Sequence, residues 1–194
     1  GSAADIIGGR QLFFHLIVGS LPALIAGGLL FFVIQLDLRS LLMIAMTTLF
    51  FGVVLGIADY YFKGARSLRD MNSWDALFIG IFQIFSLFPG TSRSGVTMTA
   101  ALIRGLDREA AARFSMLLSI PIIAAAGFAA ALHGIVEHDV EFGIDALITG
   151  GVSCLIAFVV IKALMAFIGR IGFMPFVIYR LILGGFLLGL YITG

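Results

Sequence analysis

Nine residues, Pro89-Gly90-Thr91-Ser92-Arg93-Ser94-Gly95-Val96-Thr97, bring four hydroxyls, one guanidinium and two glycines together in otherwise apolar surroundings. These groups suit a phosphate. The planar guanidinium of Arg93 offers paired donors that match phosphate oxygens. Thr91, Ser92, Ser94 and Thr97 add neutral donors. Gly90 and Gly95 let backbone N–H groups approach closely, and the start of a following helix adds a favourable dipole. The plain alternative is a polar hinge that satisfies its own backbone. Position argues for a ligand, because a charge at membrane depth costs about 2.5–3.5 kcal/mol. Irregular backbone at that depth must also line a cavity rather than face lipid.

Membrane depth follows from composition. Of 194 residues, 61% are hydrophobic and 12% charged, with a mean hydropathy of +1.14. Soluble domains carry about 25% charged residues, so most of this surface must face something apolar. The net charge of +1 excludes strong electrostatic capture of nucleic acid. The lone cysteine, Cys154, allows no intramolecular disulfide or zinc motif and reads as a small core residue.

The chain reads as a single transmembrane domain over 1–194, all-α and polytopic, with about five transmembrane helices and one re-entrant helical hairpin. Spans are expected at 11–33, 41–62, 107–132, 144–168 and 176–193, each long enough to cross the hydrocarbon core or nearly so. The apolar piece at 74–88 is short for a span. It ends at the breaker Pro89-Gly90, and a second short piece at 96–103 follows the polar loop at 89–95. Two short arms around a polar loop describe a hairpin that enters the membrane and returns. Asp107 suits an N-cap, and Pro121 a kink.

Orientation follows from basic residues in short connections. Lys63, Arg66 and Arg69 precede the hairpin, Arg104, Arg108 and Arg113 follow it, and Lys162 and Arg170 close the fifth element. All fall on one side, the cytoplasm, if the hairpin returns to its side of entry. The acidic connection at 134–143 and the C-terminus then face outward.

Other polar residues carry weaker signals. Arg180, a turn inside the last span, either snorkels to the interface or makes a second contact to a lipid phosphate. Gln83, near the hairpin tip, suits a support for the loop. His15, near a span end, reads as interfacial or packed, Asp59 as interfacial, and His133 and His138 as solvated.

The stretch from Gln83 through Leu87-Phe88-Pro89-Gly90-Thr91-Ser92-Arg93-Ser94-Gly95-Val96-Thr97 resembles the second signature of the undecaprenyl-diphosphate phosphatases, the bacitracin-resistance membrane enzymes. Further stretches are similar: His15-Leu16-Ile17-Val18-Gly19-Ser20-Leu21-Pro22-Ala23, Phe114-Ser115-Met116-Leu117-Leu118-Ser119-Ile120-Pro121 and Pro175-Phe176-Val177-Ile178-Tyr179-Arg180. The resemblance implies an inverted-repeat fold. It also implies hydrolysis of undecaprenyl diphosphate to undecaprenyl phosphate and inorganic phosphate, which recycles the carrier lipid for cell-wall synthesis. By resemblance, Arg93 binds the diphosphate, Ser92, Ser94 and Thr97 hydrogen-bond it, and Gly90, Thr91, Gly95, Gln83 and Arg180 complete substrate binding. The resemblance further implies a divalent cation, Mg or Ca, a bacterial inner-membrane location and an active site opening to the outer face. It names a polyprenyl diphosphate lipid as partner and allows a homodimer.

The family's first signature, rich in Glu and ending in Ser-Ser-x-x-His, has no counterpart here. The expectation is that this chain holds the phosphate grip, lacks the metal ligands and proton-handling groups, and is inactive alone. A transporter or flippase for a lipid phosphate or other anion is the competing class, since broken helices grip anions there too. The acid-phosphatase-like lipid phosphatases need Ser-Arg-x5-His-x3-Asp. They are excluded, because Thr99 and Ile103 stand at the required His and Asp positions.

Overall fold

The computed structural model describes residues 3–30, 40–136 and 140–193. Among these the regular elements are helices: α1 (Ala3–Leu29), α2 (Leu41–Tyr61), α3 (Ser73–Gln83), α4 (Arg93–Ile103), α5 (Arg108–Val136), α6 (Val140–Ile171) and α7 (Met174–Thr193). Five are long and apolar enough to cross a membrane, over Gly8–Leu29, Leu41–Tyr61, Arg108–Phe128, Ile148–Ile171 and Met174–Thr193. Their outward faces carry large apolar side chains such as Phe50, Phe158 and Ile182, each more than 60% exposed. Such a surface is stable only against lipid or another apolar partner.

The helices are longer than the hydropathy pattern indicates. α1 starts at Ala3 rather than at 11, and the expected end of that span at 33 lies outside the described residues. α5 and α6 extend helix into the acidic connection expected at 134–143. His133 therefore falls within α5, while His138 lies outside the described residues. Pro175 sits in the first turn of α7, where the missing N–H has no helical partner to lose. Cys154 is not a core residue. It is exposed on α6, among side chains that suit lipid contact.

α3, a 3₁₀ turn over Ile84–Leu87, a bend and α4 form the hairpin. Asn72 caps α3 by accepting from the Asp75 N–H at 2.9 Å, and Asp75 reciprocates with the Asn72 N–H at 3.1 Å. Asp75 is fully buried and also joins the hairpin's two ends. Its carboxylate accepts from Arg66 Nη2 and from Arg104 Nε, each at 2.6 Å. Arg66 additionally donates to the Arg104 carbonyl at 2.7 Å, and the Arg66 and Leu106 backbones pair in a short parallel bridge. This hydrogen bonding with Asp75 holds the Arg66 guanidinium above its ordinary pKa. Entry and exit of the hairpin therefore share one face, as the basic residues indicated.

Asp59 marks the same face. It was expected at an interface but is 2% exposed. It accepts from Arg108 Nε at 2.6 Å and from the Phe173 N–H at 3.2 Å, tying the end of α2 to the starts of α5 and α7. Asp107 caps α5 through the Ala110 N–H at 2.7 Å, as expected.

Small residues set the helix crossings. α1 meets α3 where a Cβ on Gly80 would overlap the Gly19 carbonyl oxygen. Gly80→Ala should therefore lower stability by about 1–3 kcal/mol, the usual cost of overpacking. Gly127→Ala, with open space around it, should be neutral or better because alanine favours helix. Melting temperatures of the two variants in one detergent check the contrast.

Candidate active site

The tip of the hairpin turns at Gly90, whose φ of +85° suits glycine alone, and a Cβ there would run into the Ile44 carbonyl and the Thr47 hydroxyl. α2 holds this turn from below: Thr47 Oγ1 donates to the Pro89 carbonyl at 2.6 Å and Thr48 Oγ1 to the Gly90 carbonyl at 3.1 Å. Arg180 of α7 holds it from the side, Nη2 donating to the Gly90 carbonyl at 3.0 Å.

The loop expected over 89–95 is shorter in the structure. α4 begins at Arg93 with Ser92 as its N-cap, and Ser92 Oγ accepts from the Gly95 N–H at 3.2 Å. Arg93, Ser94 and Gly95 thus form the first helical turn rather than free loop. Ser92 has the short polar side chain and extended backbone that caps require. The Val96 N–H returns to the Ser92 carbonyl, and the N–H groups of Arg93 and Ser94 have no partner among the described residues. Two free amides, the Ser92 and Ser94 hydroxyls and the positive end of α4 all belong to one helix N-terminus, which is the general form of an anion site.

Each site residue named from the sequence has a definite place. Ser92 and Ser94, with hydroxyls 3.2 Å apart, line a cavity of about 370 Å³ together with Gly90, Gly95, Thr48 and Arg180. Arg93 does not line that cavity; its side chain is half-buried and Nη1 is buried without a partner. Thr97 is 1% exposed, and its hydroxyl is already engaged with the Arg93 carbonyl at 3.0 Å and with Ser115 Oγ at 2.6 Å. That geometry locks the first turn of α4 onto α5. Gly95 lies inside the helix, where a Cβ would stand 3.0 Å from Arg180 Nη1, so its bareness admits the arginine rather than bending a loop. Arg180 does not snorkel. It is 7% exposed and turned inward.

Among the described residues, the buried side-chain polar atoms without partners are Gln83 Nε2 and Oε1, Thr91 Oγ1, Arg93 Nη1, and Arg180 Nε and Nη1. Every one lies on the hairpin near its tip or reaches it from α7. Buried polar groups of this kind are normally hydrogen-bonded, so their concentration here marks the surface that receives a polar partner.

Thr47, Thr48 and Ser115 escaped the sequence reading. An adjacent Thr pair within an apolar span was the available signal for the first two. Among the described residues no group of three His, Cys, Asp or Glu side chains converges to hold a metal ion. These residues therefore do not by themselves fit a magnesium or calcium ion, and no step is derived through one.

Residues 6–186 match the model of a family described as bacitracin resistance protein BacA. Similar proteins include the undecaprenyl-diphosphatase of Hahella chejuensis, 48% identical over 94% of this chain and 69% of the relative. Those of Marinobacter nauticus and Alteromonas mediterranea are each 44% identical, over 93% and 92% of this chain and 68% and 67% of their own lengths.

Proposed function

Since the chain belongs to the bacitracin resistance protein BacA family, we propose that it serves the reaction for which its relatives are named. Undecaprenyl diphosphate and water give undecaprenyl phosphate and inorganic phosphate, and the carrier lipid returns to cell-wall synthesis. The observation that carries this reading is the set of unpartnered buried polar atoms at the tip of a hairpin packed among apolar helices. A diphosphate supplies the oxygens that the donors among these atoms lack, and its prenyl chain suits the apolar surroundings.

The residues of this chain bind and orient. Arg93 grips the diphosphate, the Arg93 and Ser94 amides and the Ser92 and Ser94 hydroxyls surround it, and the α4 dipole favours charge that develops on its oxygens. Thr97 and Ser115 keep the first turn of α4 in place. A divalent cation, magnesium or calcium, belongs to the proposal, with its ligands outside the described residues. Release of inorganic phosphate from undecaprenyl diphosphate in detergent, with either cation present and the Glu-rich first signature supplied as a fused or separate segment, tests the reading. Movement of the lipid between vesicle leaflets without phosphate release would favour a flippase instead.

The site is proposed to open to the outer face of the inner membrane. The tip packs against Ile44 and Thr47, whereas Asp59, at the other end of α2, lies with the basic cluster. Fifteen residues of helix separate Ile44 from Asp59, roughly 22 Å at 1.5 Å per residue, so the tip reaches far from the basic face. Single cysteines in a Cys154→Ala background should report this. Arg69→Cys should label only from the cytoplasmic side and Tyr191→Cys only from outside. The reverse pattern overturns the orientation, and labelling of both from one side overturns the span count. A homodimer is part of the proposal too, and the mass of the detergent-solubilised particle tests it.

A further inference from the structure

The basic face at the base of the hairpin is not uniform. Three of its arginines are spent on carboxylates, Arg66 and Arg104 on Asp75 and Arg108 on Asp59. Arg10, Arg69 and Arg113 are exposed and make no ion pair among the described residues. They border two adjoining clefts, of about 640 and 730 Å³, between the start of α1, the connection before α3 and the start of α5. Both volumes lie within the usual range of small-molecule sites. Gln11, His15 and Arg69 line both clefts and join them.

The two clefts differ in charge. The smaller holds Arg10 and Arg69 and no carboxylate. Asn72 also lines it, and because its oxygen is used in capping α3, its amide donors remain for a ligand. Two guanidiniums without a counter-ion suit a phosphate. The larger cleft holds Arg113 beside Asp107 and Glu109. That mixture suits uncharged hydroxyls better than a second anion.

Depth and wall point to a lipid. Tyr60 and Tyr61, directly after Asp59, and Trp74, directly after the cleft residue Ser73, are exposed at this face. Tyrosine and tryptophan in such positions mark the headgroup level of a bilayer. Phe14 walls the smaller cleft and begins an exposed row with Ile17, Leu21 and Ile25 at helical spacing. α1 runs along the hairpin from base to tip, Gly19 against Gly80 and Gly27 beside Leu87. The row therefore leads inward from the cleft, for roughly 16 Å at 1.5 Å per residue.

We propose that the smaller cleft seats the phosphate of an acidic phospholipid between Arg10 and Arg69. One acyl chain lies along the Phe14–Ile25 row, and the polar end of the headgroup turns toward the larger cleft. Basic pockets between membrane helices are a recurring seat for such headgroups. The site lies at the opposite end of the hairpin from Ser92 and Arg93 and does not rest on the hydrolysis reading.

Trp74 is the one tryptophan of the chain and reports occupancy. The probe is phosphatidylglycerol brominated on its acyl chains, doped into phosphatidylcholine nanodiscs holding the protein, with brominated phosphatidylcholine as the comparison. A basic side chain near a membrane surface is worth about fivefold in affinity for acidic lipid. The brominated phosphatidylglycerol should therefore quench at a mole fraction about fivefold lower or less. Arg10→Gln and Arg69→Gln should each reduce that preference about fivefold. Both side chains are exposed and outside the ion pairs, so both variants should fold. Arg170→Gln, at the end of α6 near Asp59 and Arg108 but outside both clefts, should keep the parental preference.

Equal quenching of the parent by the two lipids overturns the proposal, as does an unchanged preference in Arg10→Gln and Arg69→Gln. An equal loss in Arg170→Gln would mean diffuse surface charge rather than a site, and overturns it too. Relief of quenching by excess inorganic phosphate at constant ionic strength would make the cleft a free-anion pocket and overturn the lipid assignment.

Discussion

With the Glu-rich first signature supplied, replacing Arg93 by alanine should reduce phosphate release from undecaprenyl diphosphate on the order of 10²–10³-fold, the usual effect of deleting one preorganised charge stabiliser from a water-poor site. The fold should survive. The Arg93 side chain has Nη1 buried without a partner, and the bond from Thr97 Oγ1 goes to its backbone carbonyl, which alanine keeps. Alanine also favours helix in the first turn of α4. Lysine should fail substantially as well, because an ammonium places a point charge where a planar pair of donors is needed. The measurement is inorganic phosphate released by equal amounts of parent and variant, with melting temperatures recorded alongside. Near-parental release by the alanine variant would remove Arg93 from the site.

The second large effect belongs to Asp75 and concerns stability. Its carboxylate is 0% exposed and takes bonds of 2.6 Å from both Arg66 and Arg104, besides the Asn72 amide. Asp75→Ala leaves two guanidiniums and a helix-capping amide without their acceptor. Removing one member of a buried pair costs about 3–5 kcal/mol. The arginines are 34% and 37% exposed, so water compensates in part, and about 2–4 kcal/mol is the expected loss. Unfolding in detergent should start at markedly lower temperature or denaturant, and turnover should fall with the folded fraction rather than with KM. An unchanged midpoint would show that the hairpin's base does not depend on this knot.

The hairpin and the polar cluster were legible in the sequence, because a short apolar piece ending at Pro89-Gly90 can neither span a bilayer nor continue as helix. The spans were legible for the same reason of length and hydropathy. The start of α4 at Arg93 was harder. Whether Ser92 caps a helix or stays in the loop depends on backbone angles that residue type only biases. The inward turn of Arg180 was one of two readings that the sequence left open. An arginine one turn inside a span reads as snorkelling, and only the packing of α7 beside Gly52 of α2 directs it to Gly90 and Thr48 instead. Asp75 and Asp59 were opaque, since ion pairs 29 and 49 residues apart leave no local pattern.

The Arg66–Asp75–Arg104 knot also bears on how the protein is made. Arg66 and the Arg104 carbonyl it binds are 38 residues apart, and everything between them is the hairpin. During synthesis the first arm emerges well before Arg104 exists to close the base. Until then α3 carries a buried-type carboxylate with only part of its complement, and the arm is too short to be stable alone across a bilayer. Docking of the two arms must therefore be a late, concerted event that awaits the start of α5. A chain paused between residues 90 and 104 would keep the hairpin waiting at the membrane surface or in the translocation machinery.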